Sequence, residues 1–192
     1  MVDISQIIVE HQSAIESLNS IRTEIEQVAN RMIRCMKNGG KILWMGNGGS
    51  AAECQHLAAE IVGRFTRERR GWPSLALTTD TSILTAVAND YSFDEIFARQ
   101  IEALCQPNDL VVGISTSGNS RNILCGFRKA RTVGAFVVAL TGGDGGASTE
   151  IADISVVVPS RVTARVQEAH ALIGHIWCEF LDQFLGEQEE HV

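Results

Sequence analysis

The stretch Leu110-Val111-Val112-Gly113-Ile114-Ser115-Thr116-Ser117-Gly118-Asn119-Ser120 decides the fold. Its first five residues form a short apolar run, which predicts a strand buried on both faces. The hydroxyl-rich turn that follows opens onto residues 122–130, which carry helical spacing. A buried strand that ends in a polar loop and runs into a helix is the repeating unit of a parallel α/β sheet. The loop itself has the makings of an anion cradle. Backbone N–H groups at a helix start carry the positive end of the dipole, and the hydroxyls add neutral donors. It has no Lys, so it is not a Walker-type nucleotide loop. A neutral, donor-rich cradle suits a small phosphate ester such as a sugar phosphate. An ordinary capped helix start is the simpler alternative, though a cap needs only one or two such residues.

Working outward, strands are predicted at 41–45, 74–78, 135–140 and 153–158. Helices are predicted at 50–64, 82–88, 93–104 and from Thr163 to Phe184. Residues 3–37 repeat Ile, Val, Leu and Met at helical spacing before the first strand and stop at Asn38-Gly39-Gly40. So much amphipathic helix needs a surface to cover, either another subunit or one face of its own sheet.

The chain has 192 residues, 45% of them hydrophobic, and a formal net charge of −7. That length suits one domain with a helical extension. The acidic balance argues against nucleic acid as a partner. Five cysteines with no C-x-x-C pair read as reduced, mostly buried thiols of a cytoplasmic protein. No signal peptide or membrane-spanning run is visible.

Gly46-Asn47-Gly48-Gly49-Ser50 follows the first strand and lacks the G-x-G-x-x-G pattern of dinucleotide folds. Its glycines would let backbone approach a ligand, or merely make a tight turn. His56 and Glu60 stand at i, i+4 on the next helix. Their spacing fits a metal pair, shared acid–base work or a plain surface hydrogen bond. Gln167, His170 and His175 lie on the last helix, whose sequence is otherwise largely apolar around His175; a lone histidine there would be a core residue. Arg64, Arg67, Arg69 and Arg70 form a basic cluster. Arg64 is placed to reach an anionic ligand, and the others read as a solvated turn or a subunit contact.

These segments together resemble the phosphoheptose isomerases of the sugar isomerase (SIS) domain superfamily. The resemblance rests on residues 46–52, Gln55-His56, Ala59-Glu60, residues 76–82, Ala88-Asn89-Asp90-Tyr91, residues 113–120, Leu140-Thr141-Gly142 and Ala164-Arg165-Val166-Gln167-Glu168. It implies a three-layer α/β sandwich around a five-stranded parallel sheet. It also implies a single domain over residues 1–192, with 1–37 as an oligomer contact, and a homotetramer with shared active sites. The implied reaction converts sedoheptulose 7-phosphate to D-glycero-D-manno-heptose 7-phosphate, on the way to lipopolysaccharide or another surface glycan. In matching positions, Ser115, Thr116, Ser117 and Ser120 would hold the phosphate. Asn47, Gly48, Gly49, Asn89 and Asp90 would line the sugar. His56, Glu60, Gln167 and His175 would bind zinc, with Glu60 as base and His175 as acid. Val166 stands where Ile is usual, and Ala164 where some members carry Asp. A relative that binds the replication initiator shares the fold but lacks the counterparts of Glu60 and His175. A sugar-phosphate sensor is a third possibility, disfavoured by a short acidic chain without a DNA-binding segment.

Overall fold

A computed structural model of the chain describes residues 2–186, with side chains as far as Phe184. Met1 and residues 187–192, which the single-domain reading includes, lie outside the described residues.

The continuous apolar runs form five parallel strands: β1 (Ile42–Gly46), β2 (Ser74–Ala76), β3 (Leu110–Ser115), β4 (Phe136–Gly142) and β5 (Ile154–Val158). Their order across the sheet is β2-β1-β3-β4-β5. β1 pairs with β3 in register from Ile42 opposite Leu110 to Gly46 opposite Ile114. β2 is shorter than its sequence suggests, because the chain turns at residues 77–79 instead of staying extended to Thr78.

Two core layers follow from the period-two alternation of strand side chains. Ile42, Trp44, Val112, Val138 and Leu140 pack under α2 (Arg22–Lys37), α3 (Gly49–Val62) and α7 (Thr163–Gly186). Leu43, Met45, Val111, Val137 and Ala139 face α5 (Ile96–Leu104) and α6 (Arg121–Val133) on the other side. α1 (Ile4–Glu16) continues into α2 through a 3-10 turn at Ser17–Ile21, so the long N-terminal segment is two helices rather than one. α4 (Thr81–Asp90) buries none of its residues.

The chain reverses direction across the sheet between β1 and β3. Crossovers on either side of that point go to opposite faces, which leaves a crevice beyond the strand ends. The loops after β1 and β3 both open there.

Candidate active site

The loop after β3 is held rigid from behind. Gly118 adopts φ +65°, and an added Cβ would run into the Gly145 carbonyl. Its own carbonyl accepts the Ser148 N–H at 3.0 Å and the Ser148 hydroxyl at 2.7 Å. Ser117 Oγ accepts the Asn119 N–H at 3.2 Å, and the Ser115 and Ser120 hydroxyls lie 3.1 Å apart. Ser120 is the N-cap of α6, yet its side chain makes no capping bond. That hydroxyl instead meets Ser115 at the end of β3, where the 13-residue helix begins and its first N–H groups carry the positive end of the dipole.

The neighbouring loop is locked to this one through a reciprocal amide pair. Asn47 Nδ2 donates to Asn122 Oδ1 at 2.9 Å, and Asn122 Nδ2 donates to Asn47 Oδ1 at 2.8 Å. Gly49 lies against the Gln167 side chain, where a Cβ would come within 2.7 Å of Nε2. The glycine loop thus touches the last helix.

The titratable cluster is built where α3 meets α7. Gly174 allows this meeting, since a Cβ there would sit 2.5 Å from a methyl of Leu57. The close approach brings the next residues along each helix, His56 and His175, together. Their Nε2 atoms lie 3.3 Å apart with the rings edge to face. Glu60 Oε1 is 3.2 Å from His56 Nε2. Phe65 covers the other side of His175, with ring centroids 5.4 Å apart.

A clamp at the far ends of the two helices keeps them in place. Arg69 and Asp182 are both buried, and Arg69 Nε donates to Asp182 Oδ1 at 2.6 Å. Arg69 also donates to the carbonyls of Glu60 and Ile61, satisfying the C-terminal end of α3. Asp182 accepts the Thr66 and Arg67 N–H groups at 2.7 and 3.0 Å. Burial works to raise its carboxyl, but the Arg69 bond and those N–H groups outweigh it and hold it below the usual range. This corrects the reading of Arg69 as part of a solvated turn. Arg64 is exposed and pairs loosely with Glu68, at 3.8 Å.

His170 behaves differently from His175. It is buried, its Nε2–H donates to the Thr141 carbonyl at 3.0 Å, and burial pushes the ring down to about 4. It is a neutral core histidine. Burial likewise pushes the thiols of Cys35 and Cys178 up to about 12, and all five cysteines are free.

Two groups, Glu60 Oε1 and His175 Nε2, approach His56 Nε2, an arrangement that either a shared proton or a shared cation can bridge. A tetrahedral zinc site with bonds of ~2.0–2.2 Å has donor–donor edges of about 3.3–3.6 Å. The 3.2 and 3.3 Å separations here are close to that spacing. Among the described residues, no group of three or more His, Cys, Asp and Glu is drawn together as a finished metal cage. The donor types and edges fit zinc, and the convergence is incomplete.

Comparison with known proteins decides what this arrangement belongs to. The SIS domain family matches residues 9–142. The phosphoheptose isomerase of Aquifex aeolicus (strain VF5) is 52% identical over 165 residues, covering 86% of each chain. That of Geotalea daltonii is 50% identical over 184 residues, covering 95% of this chain and 96% of its relative. The solved phosphoheptose isomerase of Francisella tularensis superposes with a TM-score of 0.88 at 39% identity, covering 95% of this chain and all of that one. The chain belongs to the phosphoheptose isomerases of the SIS domain family. It is an isomerase acting on a sugar phosphate.

In this isomerase, the residues singled out from sequence fall into three groups. Ser115 and Ser120 come together, with Thr116 and Ser117 on the same rigid turn. His56, Glu60 and His175 come together, whereas Gln167 lies against Gly49 of the glycine loop and is not brought into contact with them. Asn89 and Asp90 sit exposed at the end of α4, bonded to each other at 2.8 Å. The structure does not bring these two into contact with either group. Sequence reading missed Asn122 and Asp182, which find their partners only through long-range packing.

Proposed function

We propose that this isomerase converts sedoheptulose 7-phosphate to D-glycero-D-manno-heptose 7-phosphate. The observation that carries the reading is that the chain assembles both a His56–Glu60–His175 cluster and a hydroxyl-lined helix start at the end of β3. The names of the similar enzymes supply the heptose.

The α6 N-terminus and the hydroxyls of Ser115, Thr116, Ser117 and Ser120 bind the phosphate. Asn47, Gly48 and Gly49 line the sugar, with Asn89 and Asp90 drawn in from α4 or supplied across a subunit boundary. Glu60 takes a proton from carbon 1, beside the carbonyl at carbon 2. The electrons left behind form the carbon–carbon double bond of a cis-enediol, and a proton returned to carbon 2 leaves the aldehyde at carbon 1. His175 moves the hydroxyl proton between the two oxygens. Glu60 Oε1 faces His56, which leaves the other carboxylate oxygen for the carbon-bound proton. His56, Glu60, Gln167 and His175 would hold zinc, which when bound polarises the carbonyl and hydroxyl oxygens.

The exposed apolar residues Ile4, Ile7, Ile8 and Val9 of α1 support a homotetramer assembled through the N-terminal helices. Five free thiols suit the cytoplasm, where a heptose phosphate would feed lipopolysaccharide or another surface glycan. No helix of the described residues is long and apolar enough to cross a membrane. The test is incubation of purified protein with sedoheptulose 7-phosphate, with and without added zinc, and identification of the product by NMR. An aldoheptose phosphate is expected. No turnover in either condition overturns the assignment.

A further inference from the structure

A cavity of about 420 Å³ opens at the N-terminal ends of β3 and β4, where Leu110 and Phe136 begin their strands. The serine loop follows the other end of β3, about 17 Å away at ~3.3 Å per residue. None of the residues assigned to the active site lines this cavity.

Three arginines line it, in a chain whose net charge is −7: Arg31 and Arg34 from α2, and Arg131 from α6. Both carboxylates in the lining are already matched. Asp109 is held by Lys41 Nζ at 2.6 Å and accepts the N–H groups of Lys41 and Gln106. Asp153 pairs with Arg131 at 2.9 Å and accepts the Val137 N–H. Arg31 and Arg34 are left over, since among the described residues no carboxylate pairs with either. Arg31 is instead fixed by stacking, with its guanidinium 3.9 Å from the Phe136 ring centroid. Stacking uses the face of the guanidinium and leaves its N–H edge free to donate. The negative ends of the helices account for only part of this charge. Arg34 and Arg131 lie in last turns, but Arg31 precedes the last turn of α2, and Lys37 already serves that end. The final carbonyls are also capped by backbone. Gly40 N–H donates to Cys35, and Ala135 N–H to Ala130, each at 3.0 Å.

We propose that this cavity is a second anion site, for a phosphorylated small molecule of the size of a sugar phosphate. Its volume falls within the ~300–1,000 Å³ of small-ligand sites. Arg31 and Arg34 donate N–H bonds to the phosphate oxygens, and the Asn38 amide beside them serves a hydroxyl of the ligand. The site lies at the opposite end of the sheet from the serine loop, so it fills without displacing substrate. The inference does not depend on which sugar phosphate the isomerase converts.

Backbone-amide NMR of the deuterated protein, titrated with ribose 5-phosphate, tests this. Two sets of shifts are expected, one at residues 115–123 and the other at residues 31–38 and 131–136. Arg34→Gln should weaken the second set about tenfold, and Arg31→Gln combined with Arg34→Gln should abolish it, with the first set unchanged. Glutamine suits a helix at both positions, and thermal unfolding checks that the variants are folded. Shifts confined to the serine loop in the wild type overturn the proposal. So do cavity shifts of equal affinity in the wild type and the double variant. A wild type that converts no sedoheptulose 7-phosphate refutes the proposed reaction alone, and the cavity shifts still decide this site.

Discussion

The cradle after β3 and the cluster between α3 and α7 are built in opposite ways. The cradle is local in sequence: strand, turn and helix lie within 110–133, and a second loop fixes them from behind through Gly118 and Ser148. The cluster exists only because two helices more than a hundred residues apart pack closely at Gly174 and Leu57 and are clamped by Arg69 and Asp182. Phosphate binding should therefore survive damage to helix packing. Chemistry should not.

Glu60→Gln separates the two regions most sharply. Loss of a general base lowers turnover by about 10²–10⁴-fold. Phosphate binding and the unfolding temperature should stay close to wild type, since Glu60 is partly exposed and makes no buried pair. Steady-state kinetics beside thermal unfolding check this, and substantial residual turnover removes Glu60 from the base role.

Acid tests the seating of α7 next. His170 titrates at about 4 in the folded chain, against about 6.5 when unfolded. The unfolded state binds the proton first, so stability is lost as pH falls from about 6.5 towards 4, by on the order of 3 kcal/mol. Urea unfolding across that range should show the loss in the wild type. A variant such as His170→Gln should show a flatter profile.

Gly174→Ala places a Cβ against Leu57. Overpacking there should cost about 1–3 kcal/mol. It should also part His56 from His175, so kcat falls while inorganic phosphate still competes with substrate as before. If kcat holds, the helix contact is not what assembles the cluster.

Ser120→Ala addresses the cradle alone. Loss of one hydroxyl donor to a charged group is worth about 1.5 kcal/mol, or roughly tenfold in KM. The value of kcat should barely move.

The same contrast explains what could be read in the sequence. Buried parallel strands announce themselves as continuous Val, Leu and Ile runs, so β1, β3 and β4 were legible, with the serine loop between β3 and α6. The i, i+4 spacing of His56 and Glu60 was equally plain, because a helix sets it. The meeting of His56 with His175 was not, since it depends on the depth to which α7 sinks at Gly174. Arg69 misled for the same reason. A run of arginines looks solvated until Asp182 arrives from the far end of the chain to pair with one of them. The end of β2 was missed because Leu77 and Thr78 look extended by composition, while the chain must turn there to reach Asp80, the N-cap of α4.

The central claim is that the cradle anchors one end of the substrate while the helix junction moves a proton at the other. Turnover of sedoheptulose 7-phosphate in deuterium oxide, followed by NMR, tests it most directly. Proton transfer through a cis-enediol predicts an aldoheptose 7-phosphate carrying solvent deuterium on carbon 2, and Glu60→Gln should form none. A Glu60→Gln variant that forms and labels the product as fast as the wild type would contradict the account.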